Sequence, residues 1–399
     1  MRFSGTPRTS ALLSVEDYRE AARQRLPRIA YDYLERGAED EVSYRANRAA
    51  FAELEFNPRT LREIGDIDLS VQVLGERSRL PIVVGPTGFA GLFWPEADKA
   101  LARAAGAAGI PFVLSTAATS SIEAVAPQGG AARRWYQLYI LNDRSATADM
   151  VARAAAAGYG ALVLTVDTVC SGKREASLRH GSRLPLKLDL EKLIDFALHP
   201  RWSLQMLRHG QPNLANFPNP RKQAFVMEAH LKRQIGWGDV EWLRSRWDGP
   251  VVLKGIQSVE DARLAAAAGV DGIVLSNHGG RQLDGSPAPM RLLPEVAAAV
   301  GANLEVMIDG GFRRGSDIVK ALALGAKSAW LGRPALYGVA CAGEQGAARV
   351  LAILEDELKR TLTLLGVDRA DRIDDSVLRL PGARSALSGL PGPARVAHA

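Results

Sequence analysis

The sequence predicts an α/β fold, a (β/α)8 TIM barrel with an N-terminal helical segment and a long insertion after the fourth strand. Eight short apolar runs follow one another, and most are separated by Ala-rich stretches of helical character. Successive runs lie roughly 20 to 35 residues apart, the length of one βα unit, except for one long gap. A doubly wound sheet is the competing architecture, but it normally has fewer strands and a Gly-rich turn after the first one.

The eight runs are continuously apolar, as expected for strands of a parallel sheet that is covered on both faces. They span residues 81–84, 111–114, 135–139, 161–164, 251–254, 272–275, 304–308 and 328–331. Helices are predicted over 97–108, 149–157, 259–268 and 315–324. A glycine that can cap the carboxyl end of a helix follows each of them, namely Gly109, Gly158, Gly269 and Gly325.

Helices are also predicted between Ser14 and Phe56. Ser14 followed by two acidic residues is a helix start signal, and Gly37 is a stop signal. We expect this segment to cover the barrel rather than to fold separately. The chain is then one domain over residues 1–399, with N-terminal helices over 1–80, the barrel over 81–345 and a C-terminal helix and tail over 346–399.

The long gap, residues 168–247, is unusual because a connection of this length in a compact barrel is normally functional or mobile. Residues 190–207 within it are apolar and aromatic, and cations flank them. These cations are Lys187, Lys192, Arg201, Arg208, Arg221 and Lys222. Apolar anchors among cations predict peripheral contact of segment 188–220 with an anionic membrane. The alternative is a helix that covers the barrel or packs on another subunit.

Composition excludes several classes of protein. With 399 residues, 47% of them hydrophobic, the chain is long enough for one large domain with a full core. The net charge of +6 is scattered rather than clustered with aromatic residues, so nucleic acid binding is not expected. Two cysteines, no secretory signal and no membrane-spanning run predict a cytoplasmic protein, peripheral on the inner face of the cytoplasmic membrane if the insertion binds lipid.

The heptapeptide at residues 276–282 follows the sixth predicted strand and carries His278 and Arg281. Loops at the carboxyl ends of strands hold the chemistry of an α/β barrel. A histidine exchanges protons near neutral pH, and an arginine holds a carboxylate in a fixed orientation. The heptapeptide therefore predicts an enzyme that acts on a small organic acid.

Other polar residues lie at neighbouring strand ends. Lys254 ends the fifth strand, where it is a candidate to form a Schiff base, to stabilise an anionic ring or to be a solvated charge at the rim. Gln137 and Tyr139 share one face of the third strand and can contact a ligand, although a tyrosine at this place is also a common core residue.

Glycine-arginine pairs follow the last two strands. Residues 309–313 read Asp-Gly-Gly-Phe-Arg, and Gly332 precedes Arg333. Glycines let backbone N–H groups approach an anion closely, so this is a predicted phosphate site, in the place where barrels commonly have one. Arg174 alone is a surface charge, but paired with Arg281 it is a carboxylate site. Together these residues fit a phosphorylated aromatic cofactor such as FMN facing a 2-hydroxy acid.

Motifs along nearly the whole chain carry a family resemblance. Apart from the specific heptapeptide at 276–282, they include residues 31–33, 37–40, 86–88, 114–116, 137–139, 165–167, 254–255 and 309–313. The chain resembles the FMN-dependent α-hydroxy acid dehydrogenases and oxidases. Within that family it is most similar to the membrane-associated (S)-mandelate dehydrogenases, also over residues 198–204 and 214–217, and next to the L-lactate dehydrogenases, through residues 247–250.

The resemblance implies a role for each candidate at the substrate. His278 would be the active-site base, and Asp167 would orient it. Arg174 and Arg281 would bind the substrate carboxylate. Tyr139 would contact the substrate hydroxyl group, and Tyr33 would close over the carboxylate.

The resemblance also implies FMN as the cofactor and no metal. Lys254 would lie near flavin N1, where it stabilises the negative charge of the reduced ring. The other residues lining the flavin would be Pro86, Thr87, Gly88, Ser115, Gln137, Thr165 and Ser276. Those around its phosphate chain would be Asp309, Gly311, Arg313, Gly332 and Arg333.

The expected reaction is oxidation of an (S)-2-hydroxy acid to the 2-oxo acid, with electrons passed to a quinone or another carrier. Ala117 stands where glycolate oxidases carry tryptophan, which leaves room for an aromatic, mandelate-like acid. Gly88 stands where those oxidases have alanine, which suggests that oxygen is a poor acceptor. The family implies a homotetramer. The alternatives are an L-lactate dehydrogenase or 2-hydroxy acid oxidase of the same family, a Schiff-base aldolase, and a flavin-binding membrane module without activity.

Overall fold

Three helices precede the barrel in the computed structural model, which describes residues 11–130, 133–179, 189–217 and 230–379. They are α1 (Val15–Arg25), α2 (Arg28–Glu35) and α3 (Val42–Ala52). The predicted start is confirmed, because the Ser14 side chain accepts a hydrogen bond from the Asp17 N–H while the Asp17 carboxylate accepts one from the Ser14 N–H. The helix α2 ends two residues before Gly37.

Short strands follow α3. Strand β1 (Glu55–Phe56) pairs with the last strand of the described residues, and β2 (Val71–Val73) and β3 (Glu76–Ser78) form an antiparallel hairpin. Only helices were predicted over residues 1–80, so this hairpin is a difference between the prediction and the structure. Its signal is brief: Val71 and Val73 are buried on either side of exposed Gln72, the two-residue period of a strand.

Eight parallel strands close into a barrel, which confirms the predicted architecture. They are β4 (Ile82–Val84), β5 (Phe112–Ser115), β6 (Arg134–Leu138), β7 (Ala161–Thr165), β8 (Val251–Ile256), β9 (Gly272–Leu275), β10 (Glu305–Asp309) and β11 (Ala329–Leu331). Each strand pairs with the next one along the chain, and β11 closes on β4. Nearly all strand residues are buried, since helices cover the outside and side chains fill the interior.

Helices connect the strands on the outside. They are α4 (Ala97–Ala108), α5 (Ile122–Val125), α6 (Arg144–Ala156), α7 (Glu175–Arg179), α8 (Leu190–Leu198), α9 (Pro200–His209), α10 (Trp237–Arg244), α11 (Val259–Ala267), α12 (Pro289–Val300), α13 (Gly315–Ala323) and α14 (Arg333–Leu365). The helix predicted from residue 149 begins earlier, at Arg144. Asp143 caps it by accepting from the Ser145 and Ala146 N–H groups, a start signal that the apolar pattern does not show.

Helices α7 (Glu175–Arg179), α8 (Leu190–Leu198), α9 (Pro200–His209) and α10 lie in the insertion over residues 168–247. The continuous apolar segment expected over 190–207 is two helices, because Pro200 has no N–H to continue α8 and begins α9 instead. Three of the flanking cations, Lys187, Arg221 and Lys222, lie outside the described residues.

One side of the α8–α9 pair packs on the protein. The indole N–H of Trp202 donates to the Leu92 carbonyl at 2.7 Å, and the Arg28 N–H donates to Asp195 at 2.7 Å. The opposite side exposes large apolar side chains, namely Leu190, Leu193, Ile194, Leu198, Leu204 and Leu207. No helix in the described ranges is long and apolar enough to cross a membrane.

The carboxyl-terminal part wraps back on the N-terminal segment. Helix α14 packs on α1 and α4 and kinks at Ala342 and Gly343. Strand β12 (Leu378–Arg379) then pairs with β1. Cys170 is exposed and Cys341 is buried, and both are free thiols.

Candidate active site

A cavity at the carboxyl ends of the barrel strands collects the residues that the sequence analysis singled out. Seventeen of the nineteen candidates line it, and Asp167 and Ser276 lie just behind its wall. We call the part around Tyr33, Tyr139, Arg174, His278 and Arg281 the substrate end. The part around Gly311, Arg313, Gly332 and Arg333 is the phosphate end.

His278, which is partly exposed to the cavity, pairs with the buried carboxylate of Asp167 at the substrate end. The ring Nδ1 of His278 lies 3.1 Å from both carboxylate oxygens of Asp167. Burial alone would raise the pKa of Asp167, but His278 and Lys254 outweigh it and hold that pKa below its ordinary value. An ionised Asp167 accepts a hydrogen bond from Nδ1–H, which leaves Nε2 as the basic nitrogen of His278.

The loop that carries His278 is held by α3. The side-chain amides of Asn47 and Asn277 exchange two hydrogen bonds of 2.8 Å, and both side chains are buried. His278 itself has a φ of +57°. Gly280 has a φ of +75°, and a Cβ there would lie 2.5 Å from the Tyr44 nitrogen, so only glycine lets α3 approach this closely. Sequence reasoning missed Asn47.

Two guanidinium groups meet at Tyr33. The Cζ atoms of Arg174 and Arg281 lie 6.0 and 5.2 Å from the centre of its ring. Arg281 donates from Nη1 to the carbonyls of Tyr33 and Arg36. Burial and the charges of Arg174 and Arg333 lower the pKa of Arg281. Among the described residues neither Arg174 nor Arg281 forms an ion pair with a carboxylate, so the pair presents unneutralised positive charge to an anion.

The neighbouring strand ends are tied to one another by hydrogen bonds. The Gln137 amide accepts from the Ser115 hydroxyl and donates to the Thr165 hydroxyl, both at 3.0 Å. Burial, with the charge of Asp167 nearby, raises the pKa of Tyr139 well above its ordinary value. The Tyr139 hydroxyl group therefore stays protonated at neutral pH and can donate a hydrogen bond.

Lys254 forms an ion pair of 2.8 Å with Asp309, and it donates to Ser276 at 3.0 Å. Burial alone would lower the pKa of Lys254, but Asp309 and Asp167 outweigh it and raise that pKa. Lys254 is a fixed ammonium charge in the wall of the cavity. Ser276 also accepts from the His278 N–H at 3.0 Å, so it joins the lysine to the histidine loop.

The phosphate end presents two arginines. Arg313 donates to the Phe312 carbonyl at 2.8 Å and to the Tyr337 hydroxyl at 3.1 Å. Arg333 donates to carbonyls of Leu34 and Gly279. Gly311 has a φ of +84°, and a Cβ there would lie 2.2 Å from the Asn47 carbonyl. Arg313 and Arg333 both line the cavity here, and their guanidinium groups can pair with a phosphate group.

The donor and acceptor set fits FMN. Asp309 Oδ2 pairs with Lys254, whereas Asp309 Oδ1 is buried without a hydrogen-bond partner in the described structure. A buried carboxylate oxygen that lacks a donor is costly, and the ribityl hydroxyl groups of a flavin are donors of the kind it lacks. Lys254 would face the electron-rich edge of the flavin ring, and Arg313 and Arg333 would hold its phosphate.

Ala117 and Gly88 lie side by side in the wall of the cavity. A Cβ at Gly88 would lie 3.0 Å from the Ala117 Cβ, so this corner is kept open by two small residues. Both positions were predicted to affect specificity, and in the structure they are neighbours. Phe89 and Phe93 pack on Tyr33 with ring centres 6.3 and 6.2 Å away, a contact that the sequence did not suggest.

Comparison with known families and proteins agrees with this site. The family profile described as FMN-dependent dehydrogenase matches residues 22–380. The (S)-mandelate dehydrogenase of Pseudomonas putida is 46% identical over 360 residues, which is 89% of this chain and 91% of that protein. Glycolate oxidase 1 of Zea mays is 41% identical over 355 residues, which is 89% of this chain and 92% of that protein.

Solved structures agree as well. The monotopic membrane protein (S)-mandelate dehydrogenase matches with a TM-score of 0.89 and 44% identity, over 93% of this chain and all of that one. A mandelate oxidase matches with a TM-score of 0.80 and 37% identity, over 92% of this chain and 98% of that one. The chain therefore belongs to the FMN-dependent dehydrogenase family, which confirms the expected FMN cofactor and the expected class of 2-hydroxy acid oxidoreductase.

Proposed function

We propose that the protein oxidises an aromatic (S)-2-hydroxy acid of the mandelate type to the 2-oxo acid. One observation carries the proposal: His278, held by Asp167, lines the same cavity as the arginine pair Arg174 and Arg281. A base and an unneutralised carboxylate site are what a 2-hydroxy acid needs, because its reacting carbon is bonded to its carboxylate.

Binding begins at the arginines. Arg174 and Arg281 hold the substrate carboxylate, and Tyr33 packs against both guanidinium groups. Tyr139 donates to the substrate oxygen, since its hydroxyl group stays protonated. These contacts fix the orientation of the acid before any proton moves.

His278 then takes the proton at Nε2. The ionised Asp167 holds Nδ1–H and stabilises the imidazolium that forms. Bound FMN supplies an acceptor for the two electrons released by the substrate. Lys254 contributes a fixed positive charge beside that acceptor, and its ion pair with Asp309 keeps it in place.

The geometry of Lys254 argues against the aldolase alternative. A Schiff-base lysine must be a neutral amine, which requires a lowered pKa. The pKa of Lys254 is raised, and its ammonium group is buried in an ion pair with Asp309. Borohydride added together with pyruvate or dihydroxyacetone phosphate should leave Lys254 unmodified by mass spectrometry.

Anaerobic mixing with a panel of acids tests the reaction. The purified holoenzyme should lose its flavin absorbance with (S)-mandelate, more slowly with L-lactate and glycolate, and not at all with (R)-mandelate. The open corner at Ala117 and Gly88 is the physical reason for the order. Faster bleaching by glycolate than by (S)-mandelate would overturn the aromatic preference, and no bleaching by any of them would overturn the proposed reaction.

We also propose that the α8–α9 pair rests on the inner face of the cytoplasmic membrane and that a membrane quinone or another carrier receives the electrons. Support comes from the exposed face described above: Leu204 and Leu207 are 65% and 82% exposed, beside the cations Arg201 and Arg208. A monotopic membrane protein is among the similar structures.

Vesicle sedimentation tests the membrane contact. The wild-type protein should sediment with vesicles of phosphatidylglycerol and phosphatidylcholine, and L204E/L207E should stay in the supernatant. Leu364→Glu is the matched control, because Leu364 is 74% exposed on a different helix. Equal sedimentation of L204E/L207E and wild type would contradict the proposal. Reoxidation by a soluble quinone analogue, compared with air, tests the acceptor.

The homotetramer is a further part of the proposal, implied by the family resemblance. Size-exclusion chromatography with light scattering measures it directly. A mass of four chains of 42.9 kDa is expected in detergent or lipid nanodiscs. A monomer under these conditions would contradict it.

A further inference from the structure

A buried carboxylate lies beneath the phosphate end and takes no part in the proposed reaction. Glu35, on α2, is only 3% exposed. Its carboxylate accepts a hydrogen bond of 2.5 Å from the Tyr44 hydroxyl, another of 2.5 Å from the Tyr337 hydroxyl, and one of 2.8 Å from Arg19 Nε. Burying a charged group so completely is costly unless nearby cations and hydrogen-bond donors compensate it.

Tyr337 joins this carboxylate to the phosphate end. Its hydroxyl group donates to Glu35 and accepts from Arg313 Nη2 at 3.1 Å. Arg313 is itself buried, and among the described residues its guanidinium group has no direct carboxylate partner. Glu35 is therefore the nearest anion to Arg313 along this chain of hydrogen bonds. Arg333 stacks on the ring of Tyr44, the other hydroxyl donor to Glu35, at 4.8 Å.

Electrostatics supports the same picture. Burial alone would raise the pKa of Glu35, but Arg333, the two tyrosine hydroxyl groups and Arg313 outweigh it and hold that pKa below its ordinary value. Glu35 is thus ionised at neutral pH. Arg19, Arg313 and Arg333 carry three positive charges against the two negative charges of Glu35 and of Glu16, which also pairs with Arg19, so a net positive charge remains for a phosphate group.

Resting on the proposed position of the flavin phosphate, we propose that Glu35 is the resident counter-anion of the phosphate end. It neutralises part of the buried charge of Arg313 and Arg333 when no phosphate is bound, and it repels the phosphate when FMN binds. The chain thereby keeps its flavin-free form folded at the expense of some FMN affinity.

Removing the charge of Glu35 should separate its effect on the stability of the flavin-free protein from its effect on FMN affinity. Glu35→Gln keeps the shape of the side chain, and its amide can still bond to the tyrosines. We expect the Tm of the flavin-free protein to fall by about 5 °C, and that of the holoenzyme to fall less. FMN should bind about tenfold more tightly, because a like charge near the phosphate is gone. Riboflavin, which has no phosphate, should bind as it does to wild type.

A second substitution is expected to change FMN affinity in the opposite direction. Arg19→Met removes a partly exposed cation from the same cluster. It should weaken FMN binding about threefold, a smaller effect because solvent screens Arg19, and leave riboflavin binding unchanged. Glu355→Gln is the matched control, since Glu355 pairs with Arg79 far from the cavity, and it should change neither affinity.

The experiment uses the full chain from which flavin has been removed. It is titrated with FMN and, separately, with riboflavin, and binding is measured by the quenching of flavin fluorescence. Equal affinities of wild type for FMN and riboflavin would overturn the proposed phosphate site itself. A normal preference for FMN, with Glu35→Gln no tighter and Arg19→Met no weaker than wild type, would overturn the role of Glu35 alone. If Glu35→Gln does not fold without flavin, the sign of the Arg19→Met effect decides.

Discussion

The two ends of the cavity both attract an anion, but they are built differently. At the substrate end, Arg174 and Arg281 lie against one tyrosine ring without a carboxylate partner in the described structure. At the phosphate end, Arg313 reaches the buried Glu35 through the Tyr337 hydroxyl, and Arg333 is held by backbone carbonyls. One pair of arginines is left unneutralised, and the other is partly neutralised from within.

The difference matches the residence time of each anion. A substrate must enter and leave in every catalytic cycle. Its carboxylate therefore binds best to arginines that are not already paired with a carboxylate of the protein. A cofactor stays bound, and the protein must also remain folded before it arrives. The internal anion at the phosphate end serves that second need, because uncompensated buried cations destabilise a fold.

The largest effect is expected at His278. His278→Asn should slow flavin reduction by (S)-mandelate about 10⁴-fold, because the base is lost. FMN should remain bound, since the phosphate end is untouched. Stopped-flow absorbance under anaerobic conditions measures the rate, and the flavin content of the purified variant is the control. Reduction at the wild-type rate would show that His278 is not the base.

The second-largest effect is expected when Arg281 at the substrate end is replaced and the base His278 is kept. Arg281→Met should lower kcat/KM for (S)-mandelate by about two to three orders of magnitude, because the carboxylate loses one of two cations. Arg281→Lys is the matched variant and should recover part of the loss, since it restores the charge but not the planar fork. Unchanged kcat/KM in the methionine variant would contradict the proposed carboxylate site.

A smaller effect is expected at Ala117, and it tests whether the substrate end has room for an aromatic ring. Ala117→Trp should lower kcat/KM for (S)-mandelate about 100-fold relative to L-lactate, because the indole fills the corner beside Gly88. Ala117→Ser should leave the ratio near that of wild type. A ratio that does not move in the tryptophan variant would place the phenyl group elsewhere.

The smallest effect concerns a charge pair outside the cavity. The hydrogen bond from Arg153 lowers the pKa of Glu123 from 4.5 to about 2. A lowered pKa stabilises the fold above pH 4.5, and this contribution is lost as the pH falls towards 2. Because Glu123 is half exposed, Glu123→Gln should cost only about 0.5 kcal/mol of unfolding free energy at pH 7. Urea unfolding should show this difference shrinking at pH 3, and a constant difference would contradict it.

The barrel could be predicted because its signal is local. Each strand is a short apolar run bounded by turn residues, and the predicted bounds differ from the observed ones by no more than two residues. Glycines close α4 and the other predicted helices at the expected places. The start of α6 was wrong, since a cap at Asp143 rather than apolar periodicity sets it.

The candidate site also combines residues that are close together in the sequence with residues that only the fold brings together. His278 and Arg281 stand in one heptapeptide after a strand, so the sequence alone brings them together. Glu35 and Tyr337 are 302 residues apart, and Asn47 and Asn277 are 230 apart, so only the fold shows these contacts. One signal was available: Glu35 lies one turn after the buried Tyr31 on α2, and an acidic residue on a buried helix face needs a partner.

The most direct test of the difference between the ends measures both ligands on two variants. Arg281→Met should weaken (S)-mandelate binding to the holoenzyme and leave FMN affinity unchanged. Arg313→Met should weaken FMN affinity at least tenfold and leave (S)-mandelate binding to the flavin-saturated enzyme near that of wild type. If either substitution weakens both ligands equally, the two ends are not separate sites and the account is wrong.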